Sequence, residues 1–242
     1  MGKNILVTGI SRGVGFQIAK TCLGQGNTVF GLNRSISPQL EDLIQKYPDR
    51  LNFFKFDLSN SKKIKSAIFK NFIGLNTRID AYINNAAIAY DDIVTNADVE
   101  NLQQMYNVNV ISPIMITKNV IRNMLLHQVS GSIVHMSSIS VHTGYKGLSM
   151  YASTKGALEA FSKNVAREWG RKKIRSNCLV AGFMETDMSS ELSDDQKDRI
   201  YKRTSLKEPT KIESVVETIC FLLSEESNSI TGQNIHVDAG TI

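Results

Sequence analysis

The chain has 242 residues, 42% of them apolar and 21% charged, with a formal net charge of +5, a composition that suits a globular α/β domain with a substantial core and argues against a disordered or fibrous chain. The basic residues are scattered and accompany no nucleic-acid-binding motif, and no apolar run reaches the roughly eighteen residues a membrane helix needs. A secretory leader and a myristoylation pattern are also lacking, so the expectation is a cytoplasmic protein with neither membrane nor nucleic acid as partner.

In chain order, Asn4–Thr8 reads as a buried strand and Gly13–Leu23 as a helix. Thr28–Leu32 is a second strand, and Pro38–Lys46 a helix whose proline suits a first turn. Leu51–Phe56 is a third strand. Ser61–Phe72 has helical spacing, with Ile64, Ala67, Ile68 and Phe72 on one face. Ile79–Ile83 is a fourth strand, followed by a long helix over Leu102–Leu126, a fifth strand over Gly131–Met136 and a helix over Tyr151–Trp169. Ile174–Leu179 is a sixth strand, Ser193–Lys202 and Glu213–Leu223 are helices, and Asn234–Val237 is the last strand. Strands that alternate with helices predict βαβ units. Prolines number only four and no linker composition breaks the chain, so the prediction is one domain over 1–242, a doubly wound parallel sheet with helices on both faces. Such sheets bind ligands at the carboxyl ends of their strands.

The first strand runs into Thr8-Gly9-Ile10-Ser11-Arg12-Gly13-Val14-Gly15. Glycines there let the backbone turn tightly and approach a pyrophosphate, which the following helix N-terminus attracts. No lysine follows the last glycine, which disfavours a nucleotide triphosphatase. At the end of the second strand stand Leu32-Asn33-Arg34-Ser35, without the acid that usually holds the ribose 2′-hydroxyl of NAD. Arg34, with Arg12 nearby, can instead pair with a 2′-phosphate, so the expected cofactor is NADP(H).

Tyr151 and Lys155 share one face of their helix at i, i+4. The ammonium is expected to lower the phenol pKa, so that Tyr151 can exchange a proton with a substrate oxygen. Ser138, just after the fifth strand, can hydrogen-bond that same oxygen. Asn109, on the long helix, is expected to hold through its amide a water that links Lys155 to solvent. Cys22, Cys178 and Cys220 are widely spaced and show no C-x-x-C, and the four histidines show no ligand spacing, so reduced buried thiols and no metal are expected. Arg171-Lys172-Lys173 reads first as a solvated helix end before a strand, and second as a contact for an anionic ligand or an acidic carrier protein.

Taken together, Thr8-Gly9-x3-Gly13-x-Gly15, Asp57-Leu58, Asn84-Asn85-Ala86-Ala87, Asn109, Ser138, Tyr151-x3-Lys155 and the loop from Gly182 to Thr186 resemble the short-chain dehydrogenase/reductase family, over Asn4 to Gly240. The resemblance implies a Rossmann-type fold and a role for each position. Asp57 and Leu58 would border the adenine. Asn85 and Ala86 would contact the riboses and stabilise the sheet, and Lys155 would bond the nicotinamide ribose. Gly182, Phe183, Met184 and Thr186 would lie along the carboxamide. Ser138 and Tyr151 would hold the substrate oxygen, and the family is commonly tetrameric.

Within the family, Gly182-Phe183-Met184-Glu185-Thr186-Asp187-Met188, Leu192-Ser193-Asp194-Asp195-Gln196, Ile230-Thr231-Gly232-Gln233 and Val237-Asp238-Ala239-Gly240 resemble 3-oxoacyl-acyl-carrier-protein reductases. That implies NADPH-dependent reduction of a 3-oxoacyl thioester, carried by acyl carrier protein or coenzyme A, as in fatty acid biosynthesis. Departures exist. Ala181 replaces the usual proline and Ala87 the usual glycine. Gln128-Val129-Ser130 lacks the basic residue expected before the fifth strand, although Lys172 fills the second basic position. The segment 139–150, with Val141-His142-Thr143 and Tyr145-Lys146, departs as well. A reductase for another small carbonyl, a sugar or polyketide ketone, is the alternative. A catalytically idle cofactor-binding protein is a third reading, against which the intact Ser138, Tyr151 and Lys155 argue.

Overall fold

A computed structural model describes residues 2–185 and 193–241. Seven parallel strands form one sheet in the order β3-β2-β1-β4-β5-β6-β7. They are β1 (Asn4–Thr8), β2 (Thr28–Asn33), β3 (Leu51–Lys55), β4 (Ala81–Asn84), β5 (Ser132–Ser138), β6 (Arg175–Ala181) and β7 (Asn234–Val237). The helices are α1 (Gly13–Gly24), α2 (Pro38–Lys46), α3 (Val99–Tyr106), α4 (Ser112–Leu126), α5 (Ser149–Trp169), α6 (Asp194–Tyr201) and α7 (Ile212–Leu223). The doubly wound arrangement read from the sequence is thus present.

Successive strand residues face opposite sides of the sheet, and both sides are covered. On β1, Ile5 and Val7 enter the core under α1, α2 and α7, while Leu6 enters the core under α4 and α5. All three are essentially buried, each worth about 1.5–3 kcal/mol of transfer free energy. This two-sided burial is why β1 is a continuous apolar run rather than an alternating one. Strand order reverses between β1 and its neighbours β2 and β4. The crevice beyond their carboxyl ends is where such a sheet accepts a ligand.

Several boundaries differ from the sequence reading. The single helix expected over Leu102–Leu126 is α3 and α4 joined by a π turn over Asn107–Ile111. Pro113 has no N–H to donate to the carbonyl of Asn109 four residues earlier, so α-helical bonding is interrupted there. The helical stretch at 61–72 is a 3-10 turn, Ser61–Lys63, followed by a π-helical segment, Lys65–Phe72. β4 begins at Ala81 rather than Ile79, and β5 runs on to Ser138. Arg171 to Lys173 lie exposed in the turn between α5 and β6, as the solvated reading has it. The cysteines are free. Cys22 of α1 and Cys220 of α7, remote in sequence, meet in a thiol–thiol hydrogen bond that pushes Cys22 up and Cys220 down in pKa. Cys220 is only partly buried, unlike the other two.

Candidate active site

The loop after β1 is shaped by what its glycines lack. Gly9 and Gly13 have φ of 79° and 57°, in the left-handed region. A Cβ on Gly15 would stand 2.0 Å from the Gly9 carbonyl oxygen and 2.4 Å from Asn85 Nδ2, so α1 can pack here only through glycine. A Cβ on Gly13 would meet nothing within 4 Å, so open space faces the loop at that point. No side chain caps the first turn of α1, and no acidic residue sits in it. Val14, in that turn, is buried. Uncapped N–H groups and an unopposed helix dipole face the open space, which is what a pyrophosphate requires.

The end of β2 is tied onto this loop. Asn33 Nδ2 donates to Ser11 Oγ at 2.9 Å, and Gln39 Nε2 and Ser37 Oγ both donate to the Ser11 carbonyl. Arg34 and Arg12 are exposed. Asp57, just beyond β3, accepts the Ser59 N–H at 2.8 Å, and Leu58 beside it is buried. Beyond β4, Asn85 Nδ2 donates to the carbonyls of Thr8 (3.0 Å) and Gly9 (3.1 Å), while the N–H groups of Asn85 and Ala86 donate to Thr8 Oγ1 at 3.1 Å each. Asn85 therefore works first as a clamp between β1 and β4. Thr8, fully buried, is its partner; the sequence reading named it in the glycine motif but gave it no role.

Ser138 is the last residue of β5 rather than the first after it, and its Oγ accepts from the N–H of Ser140 (3.2 Å) and its hydroxyl (3.0 Å). Tyr151 and Lys155 lie one turn apart on α5, with Lys155 Nζ 5.5 Å from the Tyr151 ring centroid. Lys155 is 3% exposed, and its ammonium donates to the Met136 carbonyl at 2.9 Å. Burial lowers its pKa to about 8, against a smaller opposing contribution from Cys178. The expectation that Lys155 lowers the Tyr151 pKa is overturned. Burial pushes the phenol up, and the Asp91 carboxylate adds to the rise. The spacing showed the cation but neither the burial nor Asp91.

Asn109, in the π turn, also differs from its expected use. Its Oδ1 accepts the Ile88 N–H at 2.9 Å, and its Nδ2 donates to the Ile88 carbonyl (2.8 Å) and to Thr154 Oγ1 (3.1 Å). Both amide hydrogens are thus taken by protein, and the side chain ties the loop after β4 to the residue preceding Lys155. After β6, a Cβ on Gly182 would lie 2.4 Å from Thr210 Oγ1 and 2.6 Å from Asp238 Cα. The Phe183 carbonyl accepts the Thr210 N–H at 2.8 Å. Met184 packs against the core under α1 and α7, and Thr186 lies outside the described residues.

These groups lie at or near the carboxyl ends of β1 to β6. A family model described as enoyl-(acyl carrier protein) reductase matches residues 9–241. The chain belongs to the short-chain dehydrogenase/reductase family. It is an oxidoreductase of that family. The 3-oxoacyl-(acyl-carrier-protein) reductase FabG of Chlamydia pneumoniae is 34% identical over 242 residues, covering 99% of this chain and 97% of the relative. Carbonyl reductase (NADPH) 2 of Sus scrofa is 32% identical over 241 residues, covering 99% and 96%. The solved structure of ElxO with NADP bound superposes with a TM-score of 0.88 at 25% identity, covering 100% of this chain and 99% of that one. No group of three or more His, Cys, Asp or Glu among the described residues could hold a metal ion, and none of their helices is long and apolar enough to cross a membrane.

Proposed function

We propose that this chain uses NADPH to reduce a ketone to a secondary alcohol, with a 3-oxoacyl thioester as the substrate class. The observation that carries the reading is the buried Lys155 one turn from Tyr151, on the helix that follows the strand end bearing Ser138. The open, uncapped start of α1 at Gly9, Ser11, Arg12, Gly13, Val14 and Gly15 would receive the pyrophosphate. Arg34, with Asn33, would receive the 2′-phosphate. Asp57 and Leu58 would border the adenine, Asn85 and Ala86 the riboses, and Gly182, Met184 and Thr186 the carboxamide. When bound, the dinucleotide supplies the hydride.

The protein holds the ketone and supplies the proton. Ser138 donates a hydrogen bond to the ketone oxygen and fixes it beside Tyr151. Burial keeps the Tyr151 phenol protonated, so it enters as the acid and gives its proton to the oxygen as the alcohol forms. The phenolate left behind is stabilised by the neighbouring ammonium, and Lys155, lowered to about 8, can give up and regain a proton close to neutral pH. Asn109 steadies this turn through Thr154.

The thioester preference rests on the segments 182–196 and 230–240 and on the identity to the chlamydial relative. The competing reading, a small free ketone, is favoured by the absence of a basic residue at 128–130, by the divergent segment 139–150 and by the identity to the porcine carbonyl reductase. The test is NADPH oxidation with acetoacetyl thioesters of acyl carrier protein and coenzyme A beside a panel of sugar and polyketide ketones. Turnover of a thioester far above the Tyr151→Phe background is expected. Turnover of free ketones alone would give the substrate to the second reading, and no turnover of any ketone would leave the idle cofactor-binding protein. The family resemblance further supports a homotetramer, which sedimentation would resolve.

A further inference from the structure

Glu159 lies one turn beyond Lys155 on α5, buried, and takes no part in the chemistry proposed above. Its carboxylate meets three other pieces of chain. Oε1 accepts from Ser137 Oγ of β5 and lies 3.0 Å from His142 Nε2, and Oε2 accepts from Asn234 Nδ2 of β7 at 2.6 Å. The His142 ring in turn stands edge-on to His236 of β7, with centroids 4.7 Å apart, and His236 Nδ1 is 4.0 Å from the Asp238 carboxylate. A buried carboxylate is costly unless its oxygens are filled, and here every partner comes from a different element.

The placement of those partners gives the cluster a purpose. Ser137 immediately precedes Ser138. His142 sits in the segment 139–150, which starts at Ser138 and ends at Tyr151, so the network holds the middle of the chain that joins the two groups proposed to grip the ketone oxygen. Within that segment the N–H groups of His142 and Thr143 donate to the Ile139 carbonyl (3.0 Å each) and that of Leu148 to the Tyr145 carbonyl (3.2 Å), while the Gly147 carbonyl accepts the Asp92 N–H from the loop after β4 (3.0 Å). The Glu159–His142 contact is a polar side-chain tie from this segment to α5, beside the packing of Val141 against Gly156.

We propose that Glu159 and His142 are positioning residues for the ketone: the carboxylate fixes segment 139–150 against α5, β5 and β7, and thereby sets where the substrate lies relative to Ser138 and Tyr151. The inference rests on the ketone-reducing reading of the site. A small misplacement of reacting groups can lower a rate by as much as about a hundredfold. The glycine loop lies across β4 from this network and shares no contact with it, so the effect on cofactor binding should be small beside that on the ketone.

The experiment compares wild type, His142→Phe, which keeps a ring but loses the hydrogen bond, and His142→Gln, which keeps a donor. Two readouts are taken on each: backbone hydrogen exchange of peptides covering 139–150 and 9–15, and steady-state constants for acetoacetyl-coenzyme A and for NADPH. In His142→Phe, exchange in 139–150 should quicken while 9–15 is unchanged. KM for the ketone should rise about tenfold with a smaller fall in kcat, and KM for NADPH should stay within about twofold. His142→Gln should restore most of both. Unchanged exchange in 139–150, equal rises in both KM values, or a His142→Gln as impaired as His142→Phe would each overturn the proposal. If the wild-type protein reduces no ketone, the functional reading falls, and hydrogen exchange alone still decides whether His142 holds the segment.

Discussion

The corner formed by β1, α1 and β2 and the edge formed by β5, α5 and β7 solve different problems by different means. At the corner the work is done by backbone: glycines that admit close packing, helix N–H groups that no side chain caps, a strand end without an acid. At the edge it is done by side chains gathered from distant places, with Lys155 on the Met136 carbonyl and Glu159 joining Ser137, His142 and Asn234. The corner leaves open space for an anionic ligand. The edge buries Lys155, and that burial lowers its pKa to about 8. A site proposed to supply a proton and a site proposed to receive a phosphate thus place opposite demands on the same sheet.

The sharpest way to separate the two regions is Tyr151→Phe. It removes the proposed proton donor and leaves the corner intact. Ketone reduction should fall by roughly a thousandfold, within the span of about 10²–10⁴ for general acid catalysis, while NADPH titration by fluorescence gives an unchanged Kd. A parallel loss of cofactor affinity would mean that the two regions are not independent.

Next in size is the pH dependence of Lys155. Its pKa is about 8 in the folded protein against the ordinary 10.5. Between those values the unfolded chain binds a proton that the folded one does not, so stability rises with pH across the window. The buried ammonium therefore costs stability in full below about pH 8 and ceases to do so above 10.5. Relative to Lys155→Met, wild type should gain roughly 3 kcal/mol between those limits in denaturant unfolding, at about 1.36 kcal/mol per pKa unit. A flat difference would show that burial at this edge does not tune the lysine.

Gly15→Ala breaks the corner instead. The added Cβ has no room beside the Gly9 carbonyl, so the loop must shift. Overpacking of this kind costs about 1–3 kcal/mol, read as a lower Tm, and NADPH affinity should fall with it. Gly13→Ala gives the internal control for crowding, since its Cβ meets open space and only its positive φ resists. Comparable in size, but confined to cofactor affinity, is Arg34→Ala. Losing one charge-assisted contact worth about 1.5–3 kcal/mol should raise Kd for NADPH at least about tenfold and leave Kd for NADH unchanged, by isothermal titration.

The same contrast explains what the sequence disclosed. The strands were legible because a sheet covered on both faces writes each buried strand as an apolar run, as in Ile5-Leu6-Val7. The geometry of the glycine loop and of the Tyr151–Lys155 pair was legible because it depends on local spacing. Glu159 was not, because Ser137, His142 and Asn234 are far from it in sequence, although a carboxylate four residues after Lys155 on the sheet-facing side of a helix is a signal that burial must answer. The break between α3 and α4 was foreshadowed by Pro113, whose missing N–H acts on the carbonyl of Asn109 four residues back. The use of the Asn109 amide for Ile88 and Thr154, and the upward push on Tyr151 from Asp91, depend on the tertiary meeting of separate segments, which spacing does not encode.

The most direct test of the central claim follows the hydride itself. Acetoacetyl-coenzyme A is incubated with C4-deuterated NADPH, using both C4 epimers, and the product alcohol is weighed by mass spectrometry. The wild-type protein should deliver a single deuterium to the new carbinol carbon from one epimer, and Tyr151→Phe should form almost no alcohol. Alcohol formed without deuterium from either epimer, or formed at equal rates by both proteins, would contradict the account.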